Sequence, residues 1–185
     1  MQIKEIIKIS ALLLGRTNVI DYLDQKENCG EDALPTVNTF VGLSNLVINE
    51  LACTYIPMCK TETVNVEGGK LYYGQLSERA LKIRAVYNED GKSVSFSEKP
   101  EYIDCPYSQV SVEYEFAPSN YGLEDEIGYM EKDVPARVIA YGVAAEFCIS
   151  EGLFEQAITH HDRYVFALSE ICVPKNATIK RRGFI

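Results

Sequence analysis

The sequence predicts an α+β fold: a helical bundle built from both chain ends, with a small antiparallel β-sheet or barrel inserted between them. Apolar residues recur at the helical period in roughly the first third and again after residue 135, whereas residues 61 to 116 alternate with the period of two that marks strands. At 185 residues, with 46% hydrophobic and 24% charged, the chain can support an ordinary buried core. The predicted organisation is a helical body from 1–60 and 117–174, a β module at 61–116 and a basic tail at 175–185.

Ile3, Ile6, Ile7, Ser10, Leu13 and Leu14 trace one helical face at the N-terminus. The apolar run there is short and Glu5 interrupts its basic end, so it reads as an amphipathic helix and not as a signal peptide. A short helix near Val19 to Leu23 is followed by a polar, turn-forming stretch from Asp24 to Asp32. The next helix runs from about Leu34 to about Tyr55 on Val37, Phe40, Val41, Ser44, Val47, Ile48, Leu51 and Tyr55. Pro35 suits its first turn and Pro57 its end.

In the β region, Val64 and Val66 followed by Leu71 and Tyr73 bracket Gly68-Gly69 as a hairpin would. Leu81, Ile83, Ala85 and Tyr87 lead through an Asp90-Gly91 turn to Val94 and Phe96 in a second hairpin. Val110, Val112, Tyr114 and Phe116 alternate with Ser111, Glu113 and Glu115, giving a strand with one buried face. Residues 117 to 135, with Pro, Gly, Asn and an acidic cluster, read as a connection or exposed surface. Ala136 to Ser150 has few polar positions and predicts a central helix; Gly152 breaks it. A final helix, Leu153 to about Cys172, carries Phe154, Ala157, Ile158, His161, Tyr164, Val165, Leu168, Ile171 and Cys172 on its expected core stripe.

No catalytic, metal or cofactor constellation is recognisable, and the expectation is a protein that is not an enzyme and holds no cofactor. His160-His161-Asp162 is the most tempting triplet, but successive helical positions diverge by about 100° and cannot converge on one ion. A Cys–His pair is arithmetically available from six cysteines and two histidines, with nothing in the spacing to single one out. The cysteines form no Cys-x-x-Cys pair and read as free, mostly buried thiols in a reducing cytoplasm. Gly68-Gly69-Lys70 lacks the rest of a phosphate loop, and the acids near Glu124 lack the spacing of a calcium loop. No run is long enough to predict a membrane span.

Two features suggest binding. Tyr72, Tyr73, Tyr87, Tyr102, Tyr107 and Tyr114 fall in the β region, where tyrosines serve equally as strand residues or as a contact surface. The tail holds Lys175, Lys180, Arg181 and Arg182 with no acid, so without it the net charge would go from −9 to −13. A basic arm on an acidic body can dock on an acidic neighbour or on a nucleic acid backbone; it can equally be a solubilising terminus. The overall charge argues against a general nucleic-acid-binding surface.

The segment Val41-Gly-Leu-Ser-Asn-Leu-Val-Ile-Asn-Glu-Leu-Ala52 leading to Tyr55-Ile56-Pro57, the strand-rich insertion, Val138-Ile-Ala-Tyr-Gly-Val-Ala-Ala-Glu-Phe147 and the ending Lys180-Arg-Arg-Gly-Phe184 together resemble the head-tail connector, or adaptor, proteins of tailed bacteriophages. The resemblance implies a structural subunit of a ring, commonly twelvefold, in the virion neck after synthesis in the host cytoplasm. It implies a portal protein and tail or neck proteins as partners, and DNA passing nearby without specific binding. It makes Lys175, Lys180, Arg181, Arg182 and Phe184 the docking residues. The long β insertion departs from purely helical connectors. The alternatives are a ligand- or protein-binding β module with Tyr72, Tyr73 and Tyr114 as contacts, or a small enzyme of unrecognised type.

Overall fold

The computed structural model describes residues 1–26, 33–129 and 133–172. Among these are the helices α1 (Ile3–Leu13), α2 (Thr17–Leu23), α3 (Ala33–Glu50), α4 (Ala136–Ser150) and α5 (Phe154–Cys172). The strands are β1 (Met58–Asn65), β2 (Lys70–Tyr72), β3 (Arg79–Tyr87), β4 (Ser97–Glu98), β5 (Tyr102–Asp104) and β6 (Gln109–Ala117).

The periodic face of α1 is buried as Ile3, Ile6, Ile7 and Ser10, joined by Ala11. Ser10 satisfies its hydroxyl on the Ile6 carbonyl at 2.9 Å and reaches the Ala140 carbonyl at 3.4 Å, which lets α1 lie close against α4. α3 buries Val37, Phe40, Ser44, Val47 and Ile48 and relaxes into a wider π-turn at Leu51–Tyr55 before Pro57. Phe40 and Phe147 stack with ring centroids 4.7 Å apart, fixing α3 on α4. α4 is buried on nearly every side, as its composition predicts, and touches α1, α3 and α5. One apolar core contains residues of all five helices.

The β region forms no barrel. It makes two three-stranded antiparallel sheets, one ordered β1-β6-β3 and one ordered β2-β5-β4. The residues between them, among them Leu71, Ile83, Ile103, Val112 and Tyr114, form a second core. Phe116 packs against both cores. The Gly68-Gly69 turn exists, with both glycines at positive φ and Glu67 and Lys70 exchanging backbone hydrogen bonds. The expected hairpin across it does not continue: β1 pairs with β6, and β2 with β5. Each strand finds a longer or more apolar partner far along the chain than its neighbour across the turn. The Asp90-Gly91 turn closes a hairpin only as far as Val94, whose N–H donates to the Val86 carbonyl; Ser97–Glu98 already belongs to the second sheet.

The connection after β6 exposes its described acids, Glu124, Asp125, Glu126 and Asp133, as expected, but it is not exposed throughout. Ile127, Tyr129 and Val134 are buried, and backbone carbonyls of Leu123 and Asp125 accept the first free N–H groups of α1 at Lys4 and Ile3. Asn45 on α3 clamps this strap, donating to the Tyr121 carbonyl at 2.9 Å and accepting its N–H at 2.7 Å. Its apolar residues occur singly and without period, so no pattern announces the packing.

Candidate interaction interface

α5 determines the chemistry of the first candidate site. Its buried positions are Ala157, His160, Tyr164 and Leu168. His160, at 7% exposure, lies in the core, whereas His161, the residue expected there, is exposed. The expected stripe is too broad to fix the phase of the helix, and α4 covers the narrower arc. Burial, with Arg163 nearby, holds the His160 imidazole below its ordinary value, and its Nδ1 has no partner. His161 and Asp162 point into solvent, so the triplet does not converge.

Among the described residues no three His, Cys, Asp or Glu side chains group as metal ligands. Of the described cysteines, Cys53, Cys59 and Cys172 are exposed and Cys105 and Cys148 buried, which corrects the expectation of mostly buried thiols; Cys29 lies outside the described residues. Burial pushes the Cys148 thiol up, away from the thiolate that nucleophilic or metal chemistry needs. Lys70 serves a different purpose from phosphate binding: its ammonium lies 4.7 Å from the centre of the Tyr102 ring.

The tyrosines divide between surface and core. Tyr114 is fully buried, its hydroxyl donating to Glu62, so it cannot be a contact residue. Glu62 is raised by burial but more strongly lowered by hydrogen bonds from Tyr114 and the Ser77 N–H, and ends below the ordinary carboxylate range. Tyr73 packs on the second core. Tyr72 and Tyr107 remain exposed, and Tyr72 lies 5.7 Å from Tyr102, centre to centre. An open cleft of about 670 Å³ borders the neighbouring Tyr73, Arg79, Lys82 and Glu98.

The outer face of α5 departs furthest from expectation. Phe154, Ile158 and Phe166 are 65%, 62% and 69% exposed, with Leu153 and Val165 beside them. Positions 154, 158 and 165 share one face of a helix. These three positions belong to the expected core stripe; the sequence shows their amphipathic spacing but not that α4 leaves them bare. Exposed apolar side chains of this kind are the usual raw material of association sites, with Phe166 set off from the other three by about a quarter turn. α5 ends at a hollow bordered by Tyr55, Cys59, Arg84, Ile171 and Cys172. The docking residues Lys175, Lys180, Arg181, Arg182 and Phe184 lie outside the described residues. No described helix is long and apolar enough to cross a membrane. Comparison with protein-family models and with curated proteins gives no match.

Proposed function

We propose that the chain is a structural assembly subunit, resembling a head-tail connector or adaptor, that forms a ring under a phage portal and joins head to tail. The uncovered apolar face of α5 carries this reading, because a monomer that leaves Phe154, Ile158 and Phe166 in water gains by burying them against a neighbour. In this reading the helices from both chain ends form one helical body, and α5 packs on the next subunit of a ring, commonly twelvefold. The tail with Lys175, Lys180, Arg181, Arg182 and Phe184 docks on the portal, and neck or tail proteins bind the far side. The acidic remainder lets DNA pass without sticking. The place of action is the virion neck.

The test replaces Ile158 and Phe166 with Asp and separately deletes 175–185. The expected outcome is a folded protein in both cases: the first no longer assembles into rings and the second still does but loses portal binding. Retained binding after deletion would sink the tail assignment; unchanged ring assembly of the double variant would sink the α5 interface.

A second reading has its own observation. Tyr72 and Tyr102, with Lys70 against the latter, present an aromatic surface on the smaller sheet, suited to a protein or sugar ligand. Tyr72→Ala would then abolish ligand binding and leave oligomerisation untouched.

A further inference from the structure

The larger sheet has two free edges, and they are built differently. β3 shifts register against β6 between Ala80 and Lys82 and again between Ile83 and Ala85, and it carries Arg79, Lys82 and Arg84. Bulges and charges of this kind keep other strands from adding to an edge. β1 has no bulge, and its two charged side chains, Lys60 and Glu62, are turned to the face where they bond Ser77 and Tyr114. Its eight residues pair with β6 without a register shift, and the strand contains neither proline nor glycine.

The direction of its backbone groups follows from the ladder. The Val66 N–H donates to the Ser108 carbonyl in the β1–β6 register. Antiparallel hydrogen bonding alternates, so residues 58, 60, 62 and 64 also face β6, while Cys59, Thr61, Thr63 and Asn65 present N–H and C=O outward. The Asn65 carbonyl obeys this rule, since it accepts Gln75 Nε2 from outside at 3.4 Å. Among the described residues, the backbone N–H and C=O groups of Cys59, Thr61 and Thr63 have no protein partner, and all three residues are exposed.

We infer that β1 is a self-pairing edge at which two copies of this chain join antiparallel about a two-fold axis through Thr61. The outward groups themselves select that centre. Centring on Cys59 would set Thr61 against Pro57, which has no N–H to give. Centring on Thr63 would set Thr61 against Asn65, whose carbonyl is already engaged. Centring on Thr61 pairs Cys59 with Thr63 and Thr61 with itself, so every free group of the three residues is used. On the other face the same register sets Lys60 opposite Glu62 twice over, so that no like charges are opposed, although both side chains already have partners within the chain at Ser77, Glu78 and Tyr114. The β1-β6-β3 sheets of the two copies become one sheet of six strands. A closed two-fold pair cannot propagate around a cyclic ring, so it describes the free subunit before assembly and stands whether or not the ring reading does.

The test uses the full chain in reducing buffer, with mass measured by light scattering across a concentration series. The wild type is expected to approach twice the 20.8 kDa chain mass. Thr61→Pro should stay at the single-chain mass with the same circular dichroism, because the N–H it removes points away from β6. Thr63→Cys provides the register test. Directly opposed residues lie about 5.5 Å apart at Cα, within disulfide range. Mild oxidation of Thr63→Cys should therefore give a covalent dimer whose peptide map shows Cys59 of one copy joined to the thiol introduced at position 63 of the other. The same cross-link should be absent from Cys59→Ser/Thr63→Cys. A wild type that is monomeric throughout, a self-association that Thr61→Pro leaves unchanged, or cross-links confined to other cysteines would each overturn the inference. Should Thr61→Pro unfold, the cross-link between positions 59 and 63 decides alone.

Discussion

Gly142 sits where α4 passes between α3 and α5, and a Cβ built there would come within 2.8 Å of Val47 Cγ1 and 3.2 Å of the Tyr164 ring. Elsewhere on a helix Gly→Ala gains ~1 kcal/mol. Here overpacking costs ~1–3 kcal/mol and should win. Urea denaturation of Gly142→Ala is expected to show net destabilisation, and Val47→Ala in the same chain should recover part of it by removing the clashing methyl. His160 offers a second residue-scale expectation. Its folded value lies below the unfolded 6.5, so the unfolded chain takes up the proton first as pH falls. Stability should therefore decline as pH drops below about 6.5 and level off once the folded imidazole also protonates. His160→Leu should flatten that part of the melting-temperature profile. At this scale the sequence is only partly readable: it marks one histidine of a pair as core, and a one-position error of helical phase selects the wrong one.

Among the elements, the strap from Tyr121 to Ile127 does what a capping side chain does elsewhere. α1 has no side-chain cap, and its first N–H groups are satisfied by Asp125 and Leu123 carbonyls. Asn45 holds the strap to α3 with two hydrogen bonds to one backbone unit. Asn45→Ala should cost ~2 kcal/mol, since both groups of Tyr121 lose their partner in a half-buried place. Amide hydrogen exchange should speed up at Tyr121 and at Ile3 and Lys4 more than in β6. The helices themselves are legible, because the amphipathic spacing of α1 and α3 and the nearly unbroken apolar composition of α4 are local signals. The strap is not, because Ile127, Tyr129 and Val134 follow no period.

For the whole molecule, two apolar cores meet at Phe116, the residue packed against both. Phe116→Ala removes a large side chain, at a cost of ~3–5 kcal/mol if the gap does not collapse. Because the loss falls on the junction, thermal unfolding followed separately by helix and by tyrosine signals should split into two transitions where the wild type shows one.

The sequence by itself determined element type, turn positions and the charge contrast between body and tail. Each of these depends on backbone geometry and neighbouring residues: a period of 3.6 or 2, a glycine able to hold positive φ at Gly68 or Gly91, a run of lysine and arginine. Tertiary structure alone decided which strands share a sheet, that β1 takes β6 across most of the β region in place of β2 across a tight turn, and which side of α5 stays bare. Those outcomes depend on which distant surfaces compete to cover an apolar face or complete a ladder, and no local pattern encodes the result of that competition.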